Sequence, residues 1–134
     1  MTDRERLFNY RLNQAEETLV EAEKMLAGGY SSRTIVNRAY YALFYTTLAL
    51  FLRLEIDGKT SKHAGVIALF DREVVKTGKM EVRFSRILHR LFELRQRADY
   101  KELIEIAPED AMLAVKDSRE FLTAARAVVE AKEV

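Results

Sequence analysis

The sequence contains no cysteine, one proline and five glycines. Without cysteine there is no disulfide framework, no thiolate nucleophile and no cysteine-ligated zinc. So little proline and glycine leaves little turn chemistry, which favours a few long helices over many short strands. The formal net charge is only +1, so nothing in the global balance demands a nucleic-acid partner. The start, MTDRERLFNY, is charged and has no apolar signal region.

What is present is a soluble-type composition, 49% hydrophobic and 32% charged over 134 residues, which predicts a single domain spanning 1–134. The stretch 31–54, SSRTIVNRAYYALFYTTLALFLRL, organises it. Ile35, Val36, Ala39, Ala42, Leu43, Ala49 and Leu50 would cover more than one side of a helix, and such a helix is buried. It is long enough to raise the question of a membrane. Arg38, Arg53, three tyrosines and the central pair of threonines make a core helix the better reading, and no membrane is expected. Arg38, Tyr41 and Tyr45 follow a +3, +4 spacing and share one face. A guanidinium on such a helix must be paired or must face a cleft.

Four further segments carry helical periodicity. Phe8, Leu12, Ala15, Leu19, Ala22 and Leu26 form a stripe over 3–27, stopped by Gly28-Gly29. Ser31 or Ser32 caps the second helix, which fades near Glu55 before the turn Asp57-Gly58. A third, short helix begins after Thr60 or Ser61 as cap, turns His63, Val66, Ile67, Phe70 and Val74 inward, and stops at Thr77-Gly78. A fourth covers about 81–100 with the stripe Phe84, Ile87, Leu88, Leu91, Leu94 and Ala98. A fifth opens on Pro108, with Glu109 and Asp110 favourable to its dipole. Ala111, Val115, Ser118, Leu122, Ala125 and Val129 make its stripe. The fold class is therefore all-α, an up-and-down four-helix bundle with an additional short helix.

Standard sites are excluded on spacing. Gly58-Lys59-Thr60 looks like the end of a phosphate loop, but the earlier glycine position holds Arg53. Neither histidine stands in Glu-x-x-His, since Thr60 and Arg86 occupy the glutamate positions. No metal site and no cofactor is expected. His63 has two readings: a structural hydrogen bond to a tyrosine or carboxylate, or a base or phosphate contact beside Lys62 at a helix N-terminus that favours anions. His89 reads as surface or interface. From 79 to 101, seven bases against Glu81, Glu93 and Asp99 leave an excess of four positive charges. That excess fits RNA, or a solvated face. Arg95 and Asp99 are four apart and can pair, worth about 0.3–0.5 kcal/mol if exposed. Alternatively Arg95, Arg97, Asp99 and Tyr100 join Arg38, Tyr41 and His63 in one polar cleft, with arginine for phosphate and tyrosine for stacking.

Asn37-Arg38-Ala39-Tyr40-Tyr41-Ala42-Leu43-Phe44, Lys62-His63-Ala64-Gly65 and Arg95-Gln96-Arg97-Ala98-Asp99-Tyr100, taken in series, resemble the small stand-alone HEPN-domain proteins of prokaryotes. The resemblance implies a HEPN-like helical bundle, commonly a homodimer, often paired with a minimal nucleotidyltransferase in toxin–antitoxin modules. It also implies metal-independent ribonuclease activity where an arginine is followed after four to six residues by histidine. Arg95 matches that arginine, but Tyr100 stands five residues later and no histidine follows. A tyrosine with a pKa near 10 is a poor base. The expectation is a cytoplasmic nucleotide- or RNA-binding protein, with Arg38, Tyr41, Lys62, His63, Arg95 and Asp99 as ligand contacts. If cleavage occurs, Arg95 would hold the phosphate and Tyr100 or His63 would assist. The resemblance also makes Tyr100 a candidate for modification by the partner. The competing expectation is an interaction module in which the polar residues form a buried network. Cutting such a network at Arg38 would cost roughly 3–5 kcal/mol.

Overall fold

A computed structural model describes residues 1–58, 62–99 and 105–133. It contains α1 (Asp3–Ala27), α2 (Ser32–Arg53), α3 (His63–Phe70), a π-helical turn (Asp71–Val75), α4 (Val82–Asp99) and α5 (Pro108–Glu133). No strand occurs among the described residues. The architecture is the all-α up-and-down bundle that the periodicity predicts.

The centre of the bundle is α2, which packs against α1, α4 and α5. By length and composition it could cross a membrane, yet 67% of its apolar window is buried inside the protein. Its buried threonine hydroxyls are satisfied within the bundle. Thr46 and Thr47 donate to the carbonyls of Ala42 and Leu43 at 2.7 and 2.9 Å. Ser118 of α5 donates to the carbonyl of Ala39 at 2.9 Å. A buried hydroxyl so bonded escapes the desolvation penalty of roughly 1–3 kcal/mol that an unpaired one would carry. The stripes of α4 and α5 are buried as the spacing predicts; on α1, Phe8, Ala15, Leu19 and Ala22 are buried while Leu12 and Leu26 pack half-buried at the margin. Ion pairs tie α5 to its neighbours: Arg119 reaches Glu16 and Glu23, both at 2.8 Å, and Arg90 of α4 pairs with the buried Asp117.

The helix ends explain the loop geometry. Thr2 and Ser31 accept hydrogen bonds from the amides of Glu5 and Thr34 and cap α1 and α2. Lys62 is the N-cap of α3 and makes no side-chain cap bond; the expected caps Thr60 and Ser61 lie outside the described residues. The short helix does not run on as α-helix to Thr77. It widens after Phe70 into the π turn, which the period of 3.6 could not foretell, and stops at Gly78 (φ 81°). Gly29 (φ 72°) ends α1 with the amide of Tyr30 bonded to the Met25 carbonyl at 3.1 Å.

The same left-handed stop ends α2, but with Glu55 (φ 57°) where glycine is usual. The amide of Ile56 bonds the Phe51 carbonyl at 2.9 Å and that of Glu55 bonds Leu52 at 3.3 Å. The Glu55 side chain is exposed, and Arg4 stands 3.9 Å away. Its backbone strain therefore has little side-chain compensation. Glu55→Gly is expected to raise stability by about 0.5–1 kcal/mol, after the extra freedom of glycine in the unfolded chain is subtracted. The check is a thermal melt, in which the variant melts a few degrees higher.

Candidate functional site

Tyr40 is fully buried at the middle of α2, and its hydroxyl oxygen lies 2.6 Å from Nδ1 of His63. The orientation follows from both helices. On α2, burial of Val36, Ala39 and Leu43 fixes the roll that sends Tyr40 inward. On α3, burial of Val66, Ile67 and Phe70 places His63, its first residue, against α2. The imidazole lies flat on Phe44, with centroids 4.2 Å apart and planes 11° from parallel. The rings of Tyr40 and Tyr41 flank it at 5.5 and 5.8 Å, and Phe92 of α4 stands 6.4 Å away.

Arg95 enters this aromatic cluster from α4. Its guanidinium carbon is 5.7 Å from the Tyr40 ring centroid and 5.5 Å from that of Tyr41, within cation–π range. A terminal nitrogen is 3.5 Å from Asp99. The Nε is buried and has no hydrogen-bond partner among the described residues. Arg38 brings a second guanidinium to within 6.0 Å of the Tyr41 centroid and pairs with Glu21 at 3.7 Å. Tyr41 therefore sits beside two cations, with the Tyr45 ring 5.9 Å further along α2.

The electrostatics keep the central pair neutral. Burial, then the positive charge of Arg95, hold the His63 pKa below its ordinary value. Burial pushes the Tyr40 phenol above its ordinary range, with Arg95 opposing. Near neutral pH the bond therefore joins an uncharged phenol to an uncharged imidazole.

Of the residues singled out from sequence, Arg38, Tyr41, His63, Arg95 and Asp99 meet here. Lys62 is the exposed residue before His63, and Tyr100 lies outside the described residues. Tyr40 and Phe44 were not among the expected contacts. The +3, +4 spacing from Arg38 selects Tyr41 and Tyr45 within one helix, whereas the partner of Tyr40 comes from another. Arg38 differs from the buried-network expectation. Its side chain is 31% exposed and that of Glu21 is 55% exposed, so cutting the pair costs about 1 kcal/mol or less. His89 stands apart, with Nε2 2.6 Å from the Asp71 carboxylate, joining α4 to the π turn. Among the described residues no group of three or more acidic or histidine side chains is placed to hold a metal ion.

The HEPN domain model matches residues 8–128. The chain belongs to the HEPN family. A UPF0332 protein of Thermotoga maritima is 38% identical over 97% of this chain and 96% of its own length. Two proteins of Methanocaldococcus jannaschii carry names that call them candidate toxins. One is 33% identical over 92% of this chain and 82% of its own length. The other is 42% identical over 64% and 62%.

The coupling of His63 to Arg95 has a measurable sign. Because the folded-state pKa is lowered, the unfolded chain takes up the proton first as pH falls. The contribution of this group to stability is full above about pH 6.5 and is lost as pH drops through the depressed value. In an NMR titration His63 should ionise below about pH 6.5, and Arg95→Met should move its midpoint upward. An unmoved midpoint would mean that the guanidinium does not act on the ring.

Proposed function

We propose that this HEPN protein binds RNA or nucleotide phosphate at the Arg95 cluster, as the HEPN half of a toxin–antitoxin-like pair. The carrying observation is the guanidinium of Arg95 held against two tyrosine rings, with a buried Nε that has no partner among the described residues. A cation so held keeps its orientation at low entropic cost, and an arginine fork suits phosphate oxygens. Tyr41 and Tyr45 add ring faces of the kind on which bases stack. The positive excess along 79–101 draws a polyanion toward α4. The names of the Methanocaldococcus jannaschii relatives support the toxin-like role. In this reading the protein is cytoplasmic, acts as a homodimer and works beside a minimal nucleotidyltransferase.

Binding is favoured over cleavage because the family pattern has histidine where this chain has Tyr100. The competing reading is a metal-independent endoribonuclease, favoured by one observation: a neutral imidazole, His63, near the Arg95 charge. It would cleave by attack of the RNA 2′-oxygen on the adjacent phosphorus: His63 takes the hydroxyl proton, the P–O5′ bond breaks, the 5′-oxygen leaves with a proton from water, and a 2′,3′-cyclic phosphate forms, with Arg95 steadying the charge.

Both readings meet in one experiment. A short fluorescent single-stranded RNA is titrated with wild type and Arg95→Ala in EDTA, and the same mixtures are run on a gel. Wild type is expected to bind, the variant to bind about tenfold to a hundredfold more weakly for loss of a charge-assisted contact, and neither to cut. Cleavage by wild type that vanishes in Arg95→Ala would establish the nuclease reading instead. Equal binding by the two proteins would remove this site from the account.

A further inference from the structure

The Tyr40–His63 hydrogen bond can be made in two senses. In one, the phenol donates to a bare Nδ1. In the other, Nδ1–H donates to the phenol oxygen, and the phenol proton then needs an acceptor of its own. Tyr40 is fully buried, and its hydroxyl has His63 as its only hydrogen-bond partner among the described residues. The second sense thus strands a buried donor, at a cost of roughly 1–3 kcal/mol. The first leaves nothing unsatisfied and puts the single ring proton on Nε2. That nitrogen has no partner among the described residues and is not among the buried unpartnered atoms, so it reaches solvent.

Resting on the reading of the Arg95 cluster as a phosphate-binding site, we propose that Tyr40 is a positioning residue that locks His63 as the Nε2–H tautomer, so that the imidazole beside Arg95 offers a ligand a hydrogen-bond donor and not a lone pair. The guanidinium of Arg95 and the imidazole of His63 then present donors only. The ligand group that this suits is an unprotonated phosphoryl oxygen. A 2′-hydroxyl that must surrender its proton finds no acceptor on the ring, because Nδ1 is already engaged by the phenol. The stacking of the imidazole on Phe44 at 4.2 Å restricts the ring flip that would exchange the two nitrogens. The lock thus explains how a chain with this cluster binds RNA without cutting it.

The test reads the tautomer directly. Protein carrying 15N-labelled histidine is examined near pH 7.5 by long-range proton–nitrogen correlation. The only other histidine, His89, is assigned with His89→Gln. Wild type should show His63 with a protonated Nε2 and a bare Nδ1. Tyr40→Phe, which keeps the ring and removes only the hydroxyl, should show a mixture of tautomers. The same variant should bind the fluorescent RNA about threefold to tenfold more weakly, since a share of the rings no longer presents the donor. A wild-type Nδ1–H tautomer, an unchanged pattern in Tyr40→Phe, or a changed pattern with unchanged RNA affinity would each overturn the proposal.

Substitutions at His63 give a check that is independent of the core. The amide of glutamine reaches the Nε2 position and that of asparagine the Nδ1 position. His63→Gln should therefore bind RNA more tightly than His63→Asn, and equal loss in the two would overturn the donor role. Wild type that shows the locked tautomer but binds no RNA would remove the phosphate-site reading and leave the lock itself standing.

Discussion

The burial of α2 on nearly every side is the constraint from which the rest of the structure follows. A helix of this apolarity has to be covered, and α1, α4 and α5 cover it. Every polar atom along it then needs a partner inside the bundle or a path to its edge. The threonines solve this within the helix, through bonds to carbonyls one turn back. Arg38 solves it by reaching the edge and Glu21. Tyr40 can do neither, since its ring points into the core. Its hydroxyl is met by the first residue of α3. The candidate cluster is therefore the place where a core helix satisfies a fully buried phenol.

That origin shapes the chemistry. Aromatic rings packed for burial also present faces to Arg95, and the resulting cation–π contacts orient the guanidinium without neutralising it as a full salt bridge would. Asp99, 3.5 Å away and mostly exposed, offsets the charge only in part. The same burial that raises the phenol pKa and lowers that of the imidazole leaves both groups uncharged near neutrality.

The π turn and the Glu55 stop show where regular periodicity gives out. Both lie after helices whose stripes were plain in the sequence, and both are set by how the chain must leave one packing surface for the next. Glu55 adopts a left-handed conformation because its own amide and that of Ile56 close onto Leu52 and Phe51, although nothing in its side chain favours that geometry. His89 illustrates the same limit. Its spacing marks it as surface, but only the π turn brings Asp71 to within 2.6 Å.

The sequence by itself determined the helices, their buried stripes and the class of fold, because those depend on a period of 3.6 and on local capping chemistry. It also marked Arg38, Tyr41, His63, Arg95 and Asp99 as residues to watch. Only the tertiary structure decided that Tyr40 is the residue bound to His63, that Arg38 stands at an exposed edge, and that Arg95 lies over two tyrosine rings. The Tyr40 and Arg95 relations join α2, α3 and α4 across separations of 23 residues and more. Spacing within one helix says which residues share a face. It does not say which face of another helix they meet, and that is fixed by the packing of large side chains around α2.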